Sequence, residues 1–190
     1  MRSTFIIAIR YTIVTTILLG IVYPLIVTGL AQLTMRDKAN GQLVVRDGQV
    51  IGSAIIGQSF TSPRYFHGRP SDAGTGYDAT SSGGSNLAQS NKALITRIDG
   101  DVATWHKLNP DAKGEVPIGL VTTSASGLDP DISPAGAFYQ VPMIATARHL
   151  PESTLHALVE SHIQGRDLGF LGEPRVNVLA LNLALDDLGK

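Results

Sequence analysis

Between Tyr11 and Met35 no charged residue interrupts the chain, and residues 11–33 (YTIVTTILLGIVYPLIVTGLAQL) show no polar face at any helical spacing. At 1.5 Å per residue a helix of that length runs about 34 Å, enough to cross a hydrocarbon core of about 30 Å with some tilt. Pro24 falls inside the run. Lipid offers no water to a freed carbonyl, so the pattern predicts a kink relieved by a threonine or by a neighbouring helix. Thr12, Thr15, Thr16, Gly20, Thr28 and Gly29 are small or hydroxylated positions that allow close approach of partner helices. The competing reading is a cleaved leader ending near Gly29-Leu30-Ala31, but leader cores are commonly about 7–15 residues, shorter than this run. An uncleaved anchor is the expectation.

Beyond the anchor the pattern changes to short periodic stretches broken by Gly and Pro. Residues 43–51 predict a hairpin turning on Asp47-Gly48, its second strand continuing through Ile56. Residues 60–70 (FTSPRYFHGRP) predict an ordered aromatic loop, and the Gly/Ser-rich residues 71–85 a long loop within the same domain. Ser85 is suited to cap a helix in which Leu87, Leu94, Ile98, Val102 and Trp105 form one apolar stripe, ended by Asn109-Pro110. Residues 115–123 (EVPIGLVTT) predict a buried strand. Ser133-Pro134 predicts a capped helix start, with the helix reaching His149 and bent at Pro142. Pro151 opens a further helix with Leu155, Leu158, Val159 and His162 on one side, and residues 165–172 break it. Asn177 is placed to cap a last helix over VLALNLALDDL, where Leu and Ala prevail over β-branched residues. The organisation is a cytoplasmic flank at 1–10, a transmembrane helix at 11–33 and one α/β or α+β domain at 37–190 with few strands.

Charge adds sidedness. Arg2, Arg10 and the terminal amine precede the anchor, whereas Arg36 and Lys38 follow it beside Asp37, a small bias toward a cytoplasmic N-terminus and an extracytoplasmic domain. Of the 15 Lys and Arg only three precede Asp37, while all 16 Asp and Glu lie from Asp37 onward, so the domain is mildly acidic and is not drawn to nucleic acid or anionic lipid. The absence of Cys removes disulfides, thiol chemistry and cysteine metal sites together.

Candidate chemistry is sparse. There is no P-loop, GxSxG elbow, HExxH helix or EF-hand spacing, and no DKT-type phosphorylation sequence, so the chain is not itself a P-type pump. No catalytic residue and no metal site is expected. His67, His106, His149, His156 and His162 lack ligand-like spacing, and Asp129 and Asp131 around Pro130 suit turn and cap roles. Ser82-Gly83-Gly84-Ser85-Asn86 has two readings. Its amides and the helix start expected at Ser85 suit a phosphate, or the loop is glycine-rich and Ser85 simply caps the helix.

The strings GSAIIGQSF, YFHGRPS, SSGGSNL, SGLDPDISP, QV-x-x-IATAR and LGEPRVNVLALNLAL, in this order behind one apolar helix, closely resemble the C subunit of the bacterial Kdp potassium-transporting P-type ATPase. Pro142-Met143 departs from the basic residue common after Gln-Val in that family. The resemblance implies an accessory subunit of the cytoplasmic (inner) membrane. Its partners would be a channel-like potassium-translocating subunit, an ATP-hydrolysing subunit and a small single-helix subunit. Two family pictures follow. In one, a catalytic chaperone raises the pump's ATP affinity through Ser82, Gly83, Gly84, Ser85, Asn86 and Gln140. In the other, the domain sits over the extracellular mouth of the channel-like subunit and holds the complex together. The second agrees with the charge bias, and no tightly bound ATP is expected. Phe60, Tyr65, Phe66, His67 and Arg69 have the composition of an interface anchor, the alternative being that these aromatics fill the domain's own core. Readings from other classes are a membrane-anchored ligand-binding module and a serine hydrolase.

Overall fold

In the computed structural model, which describes residues 2–188, the apolar run forms a continuous helical segment, Arg2–Thr34, with all but a few residues exposed and none buried. It is long and apolar enough to cross a membrane. The expected kink takes a different form. Helix α1 (Arg2–Ile17) passes through a π-helical stretch, Leu18–Val22, into α2 (Tyr23–Thr34). The proline ring at position 24 cannot donate and crowds the carbonyl four residues earlier, so the backbone widens one turn before it: Tyr23 N–H donates to Leu18 O, five residues back. Thr15 Oγ1 donates to Tyr11 O at 2.8 Å and Thr34 Oγ1 to Leu30 O at 2.8 Å, so neither hydroxyl is left bare on an apolar face.

A short helix α3 (Arg36–Ala39) precedes the hairpin of β1 (Leu43–Arg46) and β2 (Gln49–Ser53). Its turn is the expected one, with Asp47 and Gly48 at φ of 52° and 77°, the left-handed pair a two-residue hairpin turn requires. The strand does not continue through Ile56. A turn at Ser53, closed by Ile56 N–H to Ser53 O at 3.3 Å, ends it. By contacts the chain divides into units Met1–Ile51 and Gly52–Lys190.

In the second unit, α4 (Lys92–Leu108) starts six residues later than expected. Asn91, not Ser85, is the cap, its Oδ1 accepting from Ala93 N–H at 2.8 Å. Leu87 is therefore off the helix and exposed, while Leu94, Ile98, Val102 and Trp105 keep the apolar stripe. Residues 115–123 form no strand. Pro117 lacks a donor and Gly119 lacks a side chain to pack, and the segment instead makes a single 3₁₀ turn, Ile118–Leu120, burying Leu120 and Val121 and exposing Ile118. Then come β3 (Asp131–Ile132), α5 (Pro134–Arg148), α6 (Glu152–His162), β4 (Ile163–Gln164), β5 (Arg175–Asn177) and α7 (Val178–Asp187). Ser133 caps α5 through Gly136 N–H at 3.1 Å, and Asn177 caps α7 through Ala180 N–H at 3.0 Å, both as expected.

The three short strands pair antiparallel in the order β3-β5-β4, Ile132 opposite Val176 and Val176 opposite Ile163. The fold is thus mixed, with an antiparallel sheet of the α+β kind. Helix α5 is nearly buried all round (Ala137, Val141 and Ile144 fully so), which is why its apolar positions show no single stripe. Leu155 and Val159 of α6, Leu181 and Leu185 of α7, and Val176 of β5 complete the core around it.

Candidate functional site

Two buried amides organise the aromatic loop. Gln140, fully buried on α5, accepts from His67 N–H at 2.7 Å through Oε1 and donates through Nε2 to His67 O and Gly136 O, each at 3.1 Å. Asn182 on α7 repeats the arrangement one residue earlier, accepting from Phe66 N–H at 2.8 Å and donating to Phe66 O at 2.9 Å. Each carboxamide thus grips both polar groups of one loop residue, as a neighbouring strand would. A buried amide so used satisfies itself and two backbone groups together.

That grip sets where the loop's side chains go. Phe66 is fully buried in the core. His67 packs against Trp105 with ring centroids 5.4 Å apart, and its Nε2 lies 3.0 Å from Ser62 O. Burial lowers the His67 pKa below the usual 6.5, opposed by the Ser62 carbonyl. Tyr65 packs beside Phe60, at 5.8 Å between centroids, and lies under the Arg148 guanidinium at 4.7 Å. Arg148 pairs with Asp186 at 2.7 Å, and the Tyr65 hydroxyl donates to the same carboxylate at 3.2 Å. Arg69 is also engaged at each of its nitrogens: Nε donates to Thr122 O at 3.3 Å, Nη1 to Asp129 at 3.0 Å and Nη2 to Thr123 O at 3.0 Å. Arg69 O in turn accepts from the Tyr77 hydroxyl at 2.6 Å, and burial with the Asp129 charge pushes that phenol up to about 12.

The structure places the glycine-rich string elsewhere. Ser71 orders the loop before it, donating to Gly127 O at 2.6 Å and accepting from Tyr77 N–H at 2.7 Å. The Ser82 hydroxyl and Gly83 N–H both donate to Ser126 O at 2.9 Å, and Gly84 packs on the backbone of Ser124 and Ala125. Asn86 is exposed with φ of 51°. Gly127, at φ of 66°, closes the junction: a Cβ there would sit 2.6 Å from Gly83 O and 2.7 Å from Ala73 N. No helix begins within residues 82–86, so the dipole expected there is at Asn91 instead. The structure gives Gln140 and residues 82–84 different partners: Gln140 grips His67, and residues 82–84 lie along residues 124–126.

A cleft of about 360 Å³ opens beside the loop, lined by Phe60, His67, Tyr77, Asp101, Trp105 and their neighbours, and neither Gln140 nor residues 82–86 reach its wall. Desolvation raises the Asp101 pKa, opposed by Arg97 and reinforced by Asp72. Among the described residues no three His, Asp or Glu side chains converge as metal ligands would. The chemistry on view is that of a rigid, hydrogen-bonded surface. Asn182, Arg148 and Asp186 were not singled out by sequence. A polar residue inside an apolar helical run, as in LALNLAL, was the signal for Asn182.

The family model described as K+-transporting ATPase, c chain (KdpC) matches residues 5–187. The chain is 54% identical over 187 residues to the potassium-transporting ATPase KdpC subunit of Koribacter versatilis, covering 98% of this chain and 95% of that one. It is 55% identical over 181 residues to the KdpC subunit of Acidobacterium capsulatum, covering 95% and 96%. The KdpC subunit of Caulobacter vibrioides is 55% identical over 172 residues, covering 90% and 86%.

Proposed function

The chain belongs to the KdpC family, the c chain of potassium-transporting ATPases, and on that premise we propose that it is a membrane-anchored accessory subunit that supports assembly of the pump and has no active site of its own. The observation that carries the reading is the extent of the match, which spans the apolar helix and the folded unit together. That extent supports an uncleaved anchor as an integral part of the subunit. The charge bias around the helix favours a cytoplasmic N-terminus and an extracytoplasmic domain at the bacterial inner membrane. The partners are then the channel-like potassium-translocating subunit, the ATP-hydrolysing subunit and the small single-helix subunit.

A direct contact between this chain and ATP has weaker physical support. The Gln140 amide is occupied by His67 and Gly136, and Gly83 N–H is occupied by Ser126. Any effect on nucleotide affinity is best assigned to the assembled complex. The experiment is affinity purification of the intact chain from membranes of cells grown at limiting potassium. Recovery of the other pump subunits at matching stoichiometry is expected. Recovery of the chain alone, or a mature N-terminus near Gln32, would overturn the proposal.

A further inference from the structure

Between β4 and β5 the chain makes a small hairpin whose tip is apolar and exposed. Leu168 is 83% exposed, Phe170 69% and Leu171 49%. The tip is nonetheless built. Asp167 N–H donates to Leu171 O and Leu171 N–H to Asp167 O, both at 2.9 Å, and Gly169 N–H and Phe170 N–H close the turn on Arg166 O and Asp167 O. At its base Arg166 holds both oxygens of Glu173, at 2.8 and 2.7 Å. Leu168 takes φ of 53°, the left-handed region that a non-glycine residue enters at a cost, and that conformation turns the side chain outward. Large apolar groups held this way on a pre-ordered turn lose little further freedom on docking. Ile118, 76% exposed, lines a cleft with Glu173, Pro174 and Arg175 at the hairpin base, whose charged walls leave the tip as a separate apolar feature.

We propose that this hairpin tip, Leu168 to Leu171, is a knob that inserts into an uncharged apolar recess on the extramembrane face of another subunit of the potassium-transporting ATPase. The proposal rests on the accessory-subunit reading above. Two observations select this occupant. Three side chains on one turn fall well short of the roughly 800 Å² a side that free-standing complexes bury, so the tip cannot by itself hold a second copy of this chain. Within an assembly already held by a membrane anchor, effective concentrations on the order of millimolar let so small a contact stay occupied. The charges around the tip also carry no positive excess, two arginines standing against three carboxylates. Arg166 lies on Glu173, and Arg175 reaches Asp167 at 3.8 Å and Asp131 at 3.4 Å. That leaves no net attraction for anionic headgroups and suits a neutral protein recess better than a lipid surface.

The chain has no cysteine, so Phe170→Cys introduces a single thiol. The full-length variant is co-expressed with the pump subunits. Maleimide labelling is then compared between the purified complex and the chain alone in detergent, and a photo-crosslinker is placed on the same thiol. Labelling at least tenfold slower in the complex, with cross-links to another subunit, is the expected result. Equal labelling rates, or cross-links only to lipid, would overturn the knob. A second variant, Leu168→Ser with Phe170→Ser, should lower recovery of the partner subunits severalfold while leaving the thermal melting of the chain unchanged. Undiminished recovery would count against the knob. Failure of the unmodified chain to recover any pump subunit would instead refute the accessory-subunit reading, and the knob with it.

Discussion

Replacing Gln140 by Met separates a structural amide from a nucleotide contact. Met is close to Gln in volume, so cavity effects stay small. What disappears is the acceptor for His67 N–H and the donor to His67 O and Gly136 O. At about 1 kcal/mol net per hydrogen bond the loss is about 3 kcal/mol. His67 is only partly buried, so water can reach its freed groups if the loop lifts, and the larger penalty for sealed, unsatisfied groups is not added. In a chain of this size each kcal/mol lowers the melting temperature by about 2–4 °C, giving a fall of about 6–12 °C.

The assay is urea titration of the full chain followed by the fluorescence of Trp105, its one tryptophan, whose ring packs against His67. Asn182→Leu should behave similarly through Phe66. The double variant should cost less than the two single losses together, because either one already frees the same loop. A Gln140→Met chain within about 0.5 kcal/mol of the parent, with Trp105 emission unmoved, would refute the clamp, since changes that small belong to surface sites.

Phe66→Ala should cost about 3–5 kcal/mol, against less for the partly buried Phe60→Ala, by the same titration; equal losses would mean that Phe66 is not a core residue. The His67 pKa is depressed in the folded state, so the unfolded chain takes up a proton first as the pH falls. The His67 contribution is therefore complete above its unfolded value of 6.5 and is lost on acidification through the lower folded value, and His67→Gln should flatten the pH dependence of the denaturation midpoint in that window. Calorimetry of the purified chain should show no tight, stoichiometric ATP uptake, because residues 82–86 start no helix, and even an exposed helix-end dipole of about 0.3–1 kcal/mol falls short of the roughly 4 kcal/mol of a millimolar site. Micromolar binding abolished by Gly83→Val, a position with open space around a Cβ, would overturn that.

Much of the fold was legible because its signals are local. The Asp47-Gly48 turn, the caps at Ser133 and Asn177 and the stripe from Leu94 to Trp105 each need only a few neighbouring residues to act. The start of α4 was misplaced because Ser85 and Asn91 are both competent caps. The choice between them was made at a distance, where Ser82 and Gly83 bond to Ser126 and draw the chain away before a helix can start. The apolar run at 115–123 looked like a strand, but a strand needs a partner ladder, and Pro117 and Gly119 weaken any claim to one. The strands of the three-stranded sheet, β3, β4 and β5, are two or three residues long, too short to show a period of two.

The aromatic loop shows the same division. Its composition, rich in aromatics and Arg, is shared by protein interfaces and by small cores, and sequence left both readings open. What assigns Phe66 to the core is a pair of carboxamides on two helices far along the chain, Gln140 and Asn182, gripping consecutive residues of one loop. A buried Gln or Asn in an apolar helix has to find backbone partners, and a loop without a ladder has backbone groups to offer. The two deficits cancel only when both helices are folded, so the loop's shape reports the integrity of the whole unit. In a subunit whose proposed work is to hold other chains in place, such coupling makes the exposed surface rigid: Tyr65 and Arg69 stay fixed by Arg148, Asp186 and Asp129 while Phe66 is locked beneath them.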